Sequence, residues 1–111
     1  MKRSRLQRLR ELAARRQDYR CYYCGRALWN GRPRRLAPFA RTQGLTLRQA
    51  RLRRCTAEHL QPRSEGGATS EGNIVAACRF CNRSRHLSKR VLDAGLYRAK
   101  VQWLVAQDRW G

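Results

Sequence analysis

Long hydrophobic runs are absent from this 111-residue sequence, and acidic residues are few. No apolar stretch approaches the roughly 18 residues that a membrane-spanning helix requires, and the start of the chain lacks the hydrophobic segment of a secretory signal. We therefore expect a cytoplasmic protein that does not enter a membrane. Only 7 Asp and Glu oppose 26 Lys and Arg, which gives a net charge of +19. An ordinary soluble enzyme of small metabolites does not need such an excess.

Aromatic residues make up only 8% of the chain and are not spaced as a stacking platform. A dedicated single-strand binder uses such a platform, so this class is disfavoured. Of the 26 basic residues, 23 are arginine, whose guanidinium forks onto phosphate oxygens. The charge therefore predicts a nucleic-acid partner, and we expect double-stranded DNA that is bound with limited sequence specificity. The oligomeric state is left open.

The length corresponds to one domain. We divide it into a basic N-terminal helix (1–17), a metal-bound core (18–87) and a C-terminal helical segment (88–111). In the first part, apolar residues recur at three- and four-residue steps, which is typical of an amphipathic helix. Its basic residues either form a solvated outer face or contact phosphates directly, and both interpretations stay open. The apolar stripe consists of Leu6, Leu9, Leu12 and Ala13.

The other elements are predicted from turn residues and periodicity. Residues 29–44 contain two Pro and two Gly and predict a loop. Thr46 and Gln49 match a capping box, which predicts a short helix after it. Two apolar segments flank a turn rich in Gly and Pro, which predicts a hairpin. The predicted helices span 47–54, 78–86 and 96–107, and the predicted strands span 55–60 and 74–77.

Four of the five cysteines form two C-x-x-C pairs, Cys21 with Cys24 and Cys78 with Cys81. Each pair can span one edge of a tetrahedron, which suits Zn²⁺. The alternatives are a thioredoxin-like redox pair, which needs only one C-x-x-C, and four buried thiols without a metal. The spacing and a reducing compartment favour structural zinc, in a closed site that leaves no position for activating water. Cys55 is predicted to be a buried small hydrophobe rather than a fifth ligand.

Residues 58–67 (EHLQPRSEGG) and 72–82 (GNIVAACRFCN) lie between and around these pairs. Together they resemble the HNH nuclease motif, with His59 as the first position, Asn73 as the second and Asn82 as the third. The match has two departures. Glutamate stands before the first histidine where the family more often has aspartate, and the third position is asparagine instead of histidine.

The resemblance implies a small α+β fold. Its centre is a zinc-stapled ββα-metal (HNH) core, with additional helices at the N-terminus, in the middle and at the C-terminus. Residues 21–25 (CYYCG) resemble the zinc knuckle of the Cys-containing branch of the family. We therefore expect one HNH nuclease domain over residues 1–111.

The implied activity is that of a divalent-metal-dependent DNA endonuclease, which hydrolyses phosphodiester bonds with one Mg²⁺ or Mn²⁺. A histidine side chain has an unperturbed pKa near 6.5, so His59 would act as the general base. Asn73 would orient the loop that carries this histidine. Glu58 and Asn82 would supply oxygen ligands to the metal. His86, four residues after Asn82 and hence on the same helix face, is either a further ligand or a polar surface residue.

Arg63, Arg83 and Arg85 are candidate phosphate contacts in this scheme. Two alternatives stay open beside it. Glu58 could simply pair with an arginine. The chain as a whole could be a non-catalytic zinc module that binds nucleic acid.

Overall fold

The computed structural model describes residues 3–111; residues 1 and 2 of the predicted N-terminal segment lie outside the described residues. The first helix, α1, spans Arg5–Arg16. It begins with a capping box, because the Ser4 hydroxyl accepts the Gln7 amide proton while the Gln7 side chain accepts the Ser4 amide proton. The helix buries Leu9, Ala13 and Ala14, whereas Leu12 of the predicted stripe is 45% exposed.

The predicted loop over residues 29–44 is wrong, because a 3₁₀ turn at Pro33–Arg35 leads there into helix α2, Leu36–Gln43. Pro38 lies in the first turn of α2, where an amide proton has no partner inside the helix and its loss costs little. Gly44 ends the helix with a left-handed backbone, at φ +66°. Proline and glycine thus mark the ends of a helix here instead of excluding one.

Helix α3 spans Leu47–Arg51. Its predicted capping box is confirmed, since Thr46 accepts the Gln49 amide proton and the Gln49 side chain accepts that of Thr46. The helix ends three residues before its predicted end. The indole of Trp29 donates to the Ala50 carbonyl at 2.6 Å and so anchors α3 to the segment that follows the first cysteine pair.

The predicted hairpin is confirmed. Strand β1, Cys55–His59, pairs antiparallel with β2, Ile74–Cys78, with Glu58 opposite Val75 and His59 opposite Ile74. Both α1 and the next helix, α4 (Arg79–Leu87), contact this hairpin. The core lies where these elements meet the first cysteine pair.

The last helix, α5, spans Ala94–Ala106, beginning two residues before its predicted start, and it buries Tyr97 and Val101. Within residues 3–111, no helix combines the length and the apolar composition that crossing a membrane demands. The helices and the two-stranded sheet confirm the predicted small α+β class.

Candidate functional site

The four paired cysteines form one buried cluster. The sulfur atoms of Cys21, Cys24, Cys78 and Cys81 all lie within 4.8 Å of one another. A tetrahedral ion with bonds of about 2.3 Å to sulfur would separate its ligands by about 3.8 Å, and Cys24 Sγ lies 4.0 Å from Cys78 Sγ. The prediction that these four residues are placed to bind a metal ion is confirmed. Cys55 is buried outside the cluster, where burial raises the pKa of its thiol to about 11.

Local structure explains how the sequence builds this cluster. Gly25 adopts φ +74° and turns the chain sharply after the first pair. Cys78 ends β2 and also caps α4, because its sulfur accepts the Cys81 amide proton at 3.3 Å. Cys21 Sγ accepts the Cys78 amide proton, also at 3.3 Å. Amide protons that point at sulfur favour the thiolate form, which is the form that binds metal.

The penultimate residue of the chain contributes a further donor. Trp110 Nε1 donates to Cys81 Sγ at 3.3 Å. The indole stacks edge-to-face on Phe80, with ring centroids 5.1 Å apart. The backbone carbonyl of Trp110 accepts a hydrogen bond from the Arg26 guanidinium at 2.7 Å. Tyr97 donates its hydroxyl proton to the Cys81 carbonyl at 2.7 Å. The C-terminal segment therefore covers the cluster and supports one of its ligands.

The sulfur atoms interact strongly with one another. Hydrogen bonds from Cys24, Cys78 and Cys81 hold the pKa of Cys21 well below its ordinary value. Hydrogen bonds with the other three cysteines raise the pKa of Cys81, because a thiolate there would lie beside the thiolate of Cys21. A bound divalent cation would remove this conflict, because it attracts all four thiolates at once.

A buried carboxylate lies close to this cluster. Glu58 on β1 is 2% exposed. Its Oε2 accepts from the Tyr23 hydroxyl at 2.9 Å and from Arg85 at 3.0 Å, while Oε1 lies 2.9 Å from His86 Nε2. Burial and the nearby Glu58 charge raise the pKa of Tyr23, which therefore stays a protonated donor. Because Tyr23 stands between the first two cysteines, this network joins the sulfur cluster to the carboxylate.

The structure corrects the expectation that Arg85 contacts phosphate. Arg85 is 2% exposed, and its guanidinium binds the Glu58 carboxylate and the Tyr23 hydroxyl. It also donates to the carbonyls of His59, Leu60 and Leu92 at 3.0–3.2 Å. All three of its nitrogens are thus used inside the fold. A pairing of Glu58 with an arginine, one of the open alternatives, is what the structure shows.

Asn82 and His86 are four residues apart on α4 and reach the same face of β1. Asn82 Nδ2 donates to Thr56 Oγ1 at 3.0 Å and to the Ala57 carbonyl at 3.2 Å. Thr56 and Glu58 are two residues apart on the strand and so lie on one face. In the described part of the chain, Asn82 Oδ1 has no hydrogen-bond partner. His86, with 35% of its side chain exposed, connects Glu58 to solvent.

The ring of His59 has its contacts in the loop after β1. Its Nε2 accepts from Arg63 Nε at 3.3 Å and lies 3.1 Å from Thr69 Oγ1. Burial lowers the pKa of His59, and the positive Arg63 lowers it further, while Glu58 opposes the shift. Since Arg63 donates to Nε2, this nitrogen carries the lone pair and can accept a proton. Thr69 was not predicted from the sequence, because no spacing rule connects it to His59.

Asn73 braces this loop. Its Oδ1 accepts the Gln61 amide proton at 2.9 Å, and its Nδ2 donates to the carbonyls of Gln61 and Ala68 at 3.1 and 2.8 Å. Gly67 lets the loop close, since a Cβ there would lie 1.7 Å from the Gln61 carbonyl oxygen. The backbone that follows His59 is therefore held on both sides.

The sequence-predicted residues form two adjacent groups. Glu58, Asn82 and His86 share the contact between β1 and α4, whereas the ring of His59 lies with Arg63 and Thr69 in the loop. Consecutive strand residues point to opposite faces, which explains the separation. Besides Thr69, two residues that support the sulfur cluster or the Glu58 carboxylate were not given roles by sequence reasoning. Trp110 offered no signal, and Tyr23 offered only its place between two cysteines.

Comparison with known proteins supports this architecture. Residues 44–88 match the family model of the HNH endonuclease. The match contains the hairpin, α4 and the second cysteine pair. No curated protein and no solved structure gives a match. Residues 44–88 are therefore similar to HNH endonuclease domains, a family whose activity is of the nuclease type.

Proposed function

We propose that the protein is a divalent-metal-dependent DNA endonuclease with His59 as its general base. The observation that carries the proposal is the meeting of Glu58 Oε1 and His86 Nε2 at 2.9 Å. Both residues lie within the segment that matches the family, and Glu58 is followed directly by His59, whose pKa is lowered. The strongly basic composition supports DNA as the substrate.

The sulfur cluster would hold Zn²⁺ as a structural ion. Its four buried thiols leave no open coordination position for water, so its contribution is to the fold. The zinc would fix Tyr23 between two of its ligands, and Tyr23 in turn contacts Glu58. The structural ion would thereby set the position of the carboxylate.

Glu58, His86 and Asn82 are the residues that would hold a catalytic Mg²⁺ or Mn²⁺. Two neighbouring ligands of an octahedral ion, each about 2.1 Å from it, lie about 3.0 Å apart. The Glu58–His86 distance of 2.9 Å fits this spacing. Asn82 adds an amide oxygen on the same face. When bound, the ion would supply positive charge beside the phosphate oxygens that become more negative during hydrolysis.

Arg85 and Tyr23 position the carboxylate for this role. Both bind Oε2 of Glu58, so that Oε1 is the oxygen directed to His86, whose side chain is partly exposed. Arg85 also donates to the carbonyls of His59 and Leu60. One buried guanidinium thus fixes both the carboxylate and the backbone that carries the base.

His59 would remove the proton from the attacking water. Its lowered pKa favours the neutral imidazole at pH 7, and because Arg63 Nε donates to Nε2, the proton of the neutral ring lies on Nδ1. Asn73 would keep the ring aimed by bracing the loop. Arg63 is exposed and already lies against Nε2, so a phosphate bound there would meet its guanidinium. Arg83 is exposed on α4 and would contact a more distant phosphate of the same DNA strand.

One observation favours the alternative, a non-catalytic zinc module that binds nucleic acid. Both oxygens of Glu58 already have partners, and the residue is 2% exposed. A carboxylate that only stabilises the fold would have the same contacts. The two functions differ in whether the metal can replace the contact between Glu58 and His86.

Plasmid nicking separates them. The zinc-loaded protein should nick supercoiled plasmid in Mg²⁺ or Mn²⁺ and stop when these ions are chelated. His59→Ala should lose about 10²–10⁴-fold in rate, the usual contribution of a general base, while its DNA affinity stays unchanged. Gln102→Ala is the control, because it truncates an exposed residue of α5 that has no role in the proposed site.

Cleavage by His59→Ala at the wild-type rate would refute the assignment of the base. DNA binding without any metal-dependent nicking by the wild type would establish the binding module instead.

A further inference from the structure

A wide groove of about 630 Å³ lies beside the candidate site. One wall is the face of α1 that carries Gln7 and Arg10, and the other is the turn at residues 30–33. The floor is residues 54–57, where the chain enters β1. Its volume is within the range of ligand sites in proteins.

Four arginines from three separate segments line this groove. Arg3, which precedes α1, is paired with Glu11, eight residues later. Among residues 3–111, the guanidinium groups of Arg10, Arg32 and Arg54 have neither an acidic partner nor a hydrogen-bond acceptor. Three unpaired cations that face one concave surface repel one another, so an anion between them would be stabilising.

The backbone of the turn helps to place one of these arginines. Gly31 has φ +84°, and a Cβ on it would lie 3.1 Å from Cδ of Arg54. The side chain of Arg54 therefore lies across the glycine backbone, which holds its stem at the groove. This packing distinguishes Arg54 from the arginines that simply extend into solvent.

The groove is continuous with the candidate nuclease site. Its floor includes the first three residues of β1, and His59 ends the same strand. The four-residue step from Cys55 to His59 covers about 13 Å, the axial length of about four nucleotides of duplex DNA. Arg5 of α1 donates to the Thr69 carbonyl and so ties this wall to the loop of His59.

We infer that the groove seats the sugar-phosphate backbone of DNA next to the bond that is cut, with Arg10, Arg32 and Arg54 on its phosphates. The inference rests on the proposed function for the position of the cut, but the binding itself does not depend on cleavage. It also assigns a role to α1, whose basic face would contact phosphate directly.

The first test adds one negative charge to the groove. Gln7→Glu keeps the capping box of α1, because glutamate serves at this position as well as glutamine does. Gln102→Glu makes the same change on an exposed part of α5. We expect the affinity for a fluorescent DNA duplex, measured by anisotropy without Mg²⁺ or Mn²⁺, to fall about fivefold in Gln7→Glu and to change little in the control.

The second test removes the three cations. Arg10, Arg32 and Arg54 are changed together to Gln, and the exposed residues Arg41, Arg48 and Arg90 are changed to Gln as a control with equal net charge. Loss of three phosphate contacts should reduce the slope of log affinity against log salt by about 2.7 in the groove variant. Circular dichroism checks that both variants keep the wild-type helix content.

The outcomes separate this inference from the proposed function. Equal losses of affinity in groove and control variants would overturn the groove, whether or not the protein nicks plasmid. A selective loss in the groove variants supports it even if the wild type does not nick plasmid, in which case only the nuclease proposal fails.

Discussion

Replacing Arg85 by methionine should destabilise the protein strongly, because it leaves a buried carboxylate without its cation. The side chains of Arg85 and Glu58 are 1% and 2% exposed and meet at 3.0 Å. Removing one partner of a buried ion pair costs about 3–5 kcal/mol in free energy of unfolding. For a domain near this size, each kcal/mol lowers the melting temperature by about 4 °C or more. We therefore expect a decrease of at least about 12 °C.

The assay is thermal and urea unfolding of the zinc-loaded protein, followed by circular dichroism. Arg83→Met is the matched control, since Arg83 is exposed on the same helix two residues away and should change stability by no more than about 0.5 kcal/mol. Adding Glu58→Gln to Arg85→Met should restore part of the loss, because the unpaired charge is then gone. A decrease in the free energy of unfolding below about 1 kcal/mol in Arg85→Met would show that water or other groups solvate the Glu58 carboxylate, and it would refute the reasoning.

Further predictions concern the cysteine cluster, the proposed general base and the loop that carries it. Trp110→Phe keeps the stacking but removes the proton donated to Cys81 Sγ; zinc affinity should fall about 10–100-fold in competition with a chromophoric chelator, and unchanged affinity would contradict this role. Because burial lowers the pKa of His59, the neutral base persists to lower pH than usual. The acid limb of the nicking rate should accordingly have its midpoint below pH 6.5, and a midpoint above it would exclude His59. Asn73→Ala removes the donors to Gln61 and Ala68 without adding a charge, so nicking should slow while duplex affinity measured by anisotropy holds; equal rates would show that the brace is dispensable.

Much of the fold could be predicted because it depends on short-range patterns. The capping box at Thr46 and Gln49 involves residues three apart, and the cysteine pairs each close within one turn. Antiparallel strands joined by a loop rich in glycine pair locally as well. Proline and glycine predict a break over residues 36–43, but their positions at the two ends of Leu36–Gln43 allow a helix there.

The proposed chemistry rests on sequence patterns. The spacing of the thiols and the order of Glu58, His59, Asn73 and Asn82 predicted a metal-bound HNH domain before any contact was known. These motifs are recognisable because their residues must keep fixed offsets along strand, turn and helix.

Tertiary structure alone decided which arginines are available to a substrate. Arg85 is buried because Tyr23, 62 residues earlier, and the carboxylate of Glu58, 27 residues earlier, converge on it. Arg10, Arg32 and Arg54 become neighbours only when α1 folds against the hairpin and the 30–33 turn closes the groove. A guanidinium has the same chemistry at every position in the sequence, and burial depends on contacts between distant segments. Its role is therefore set by packing.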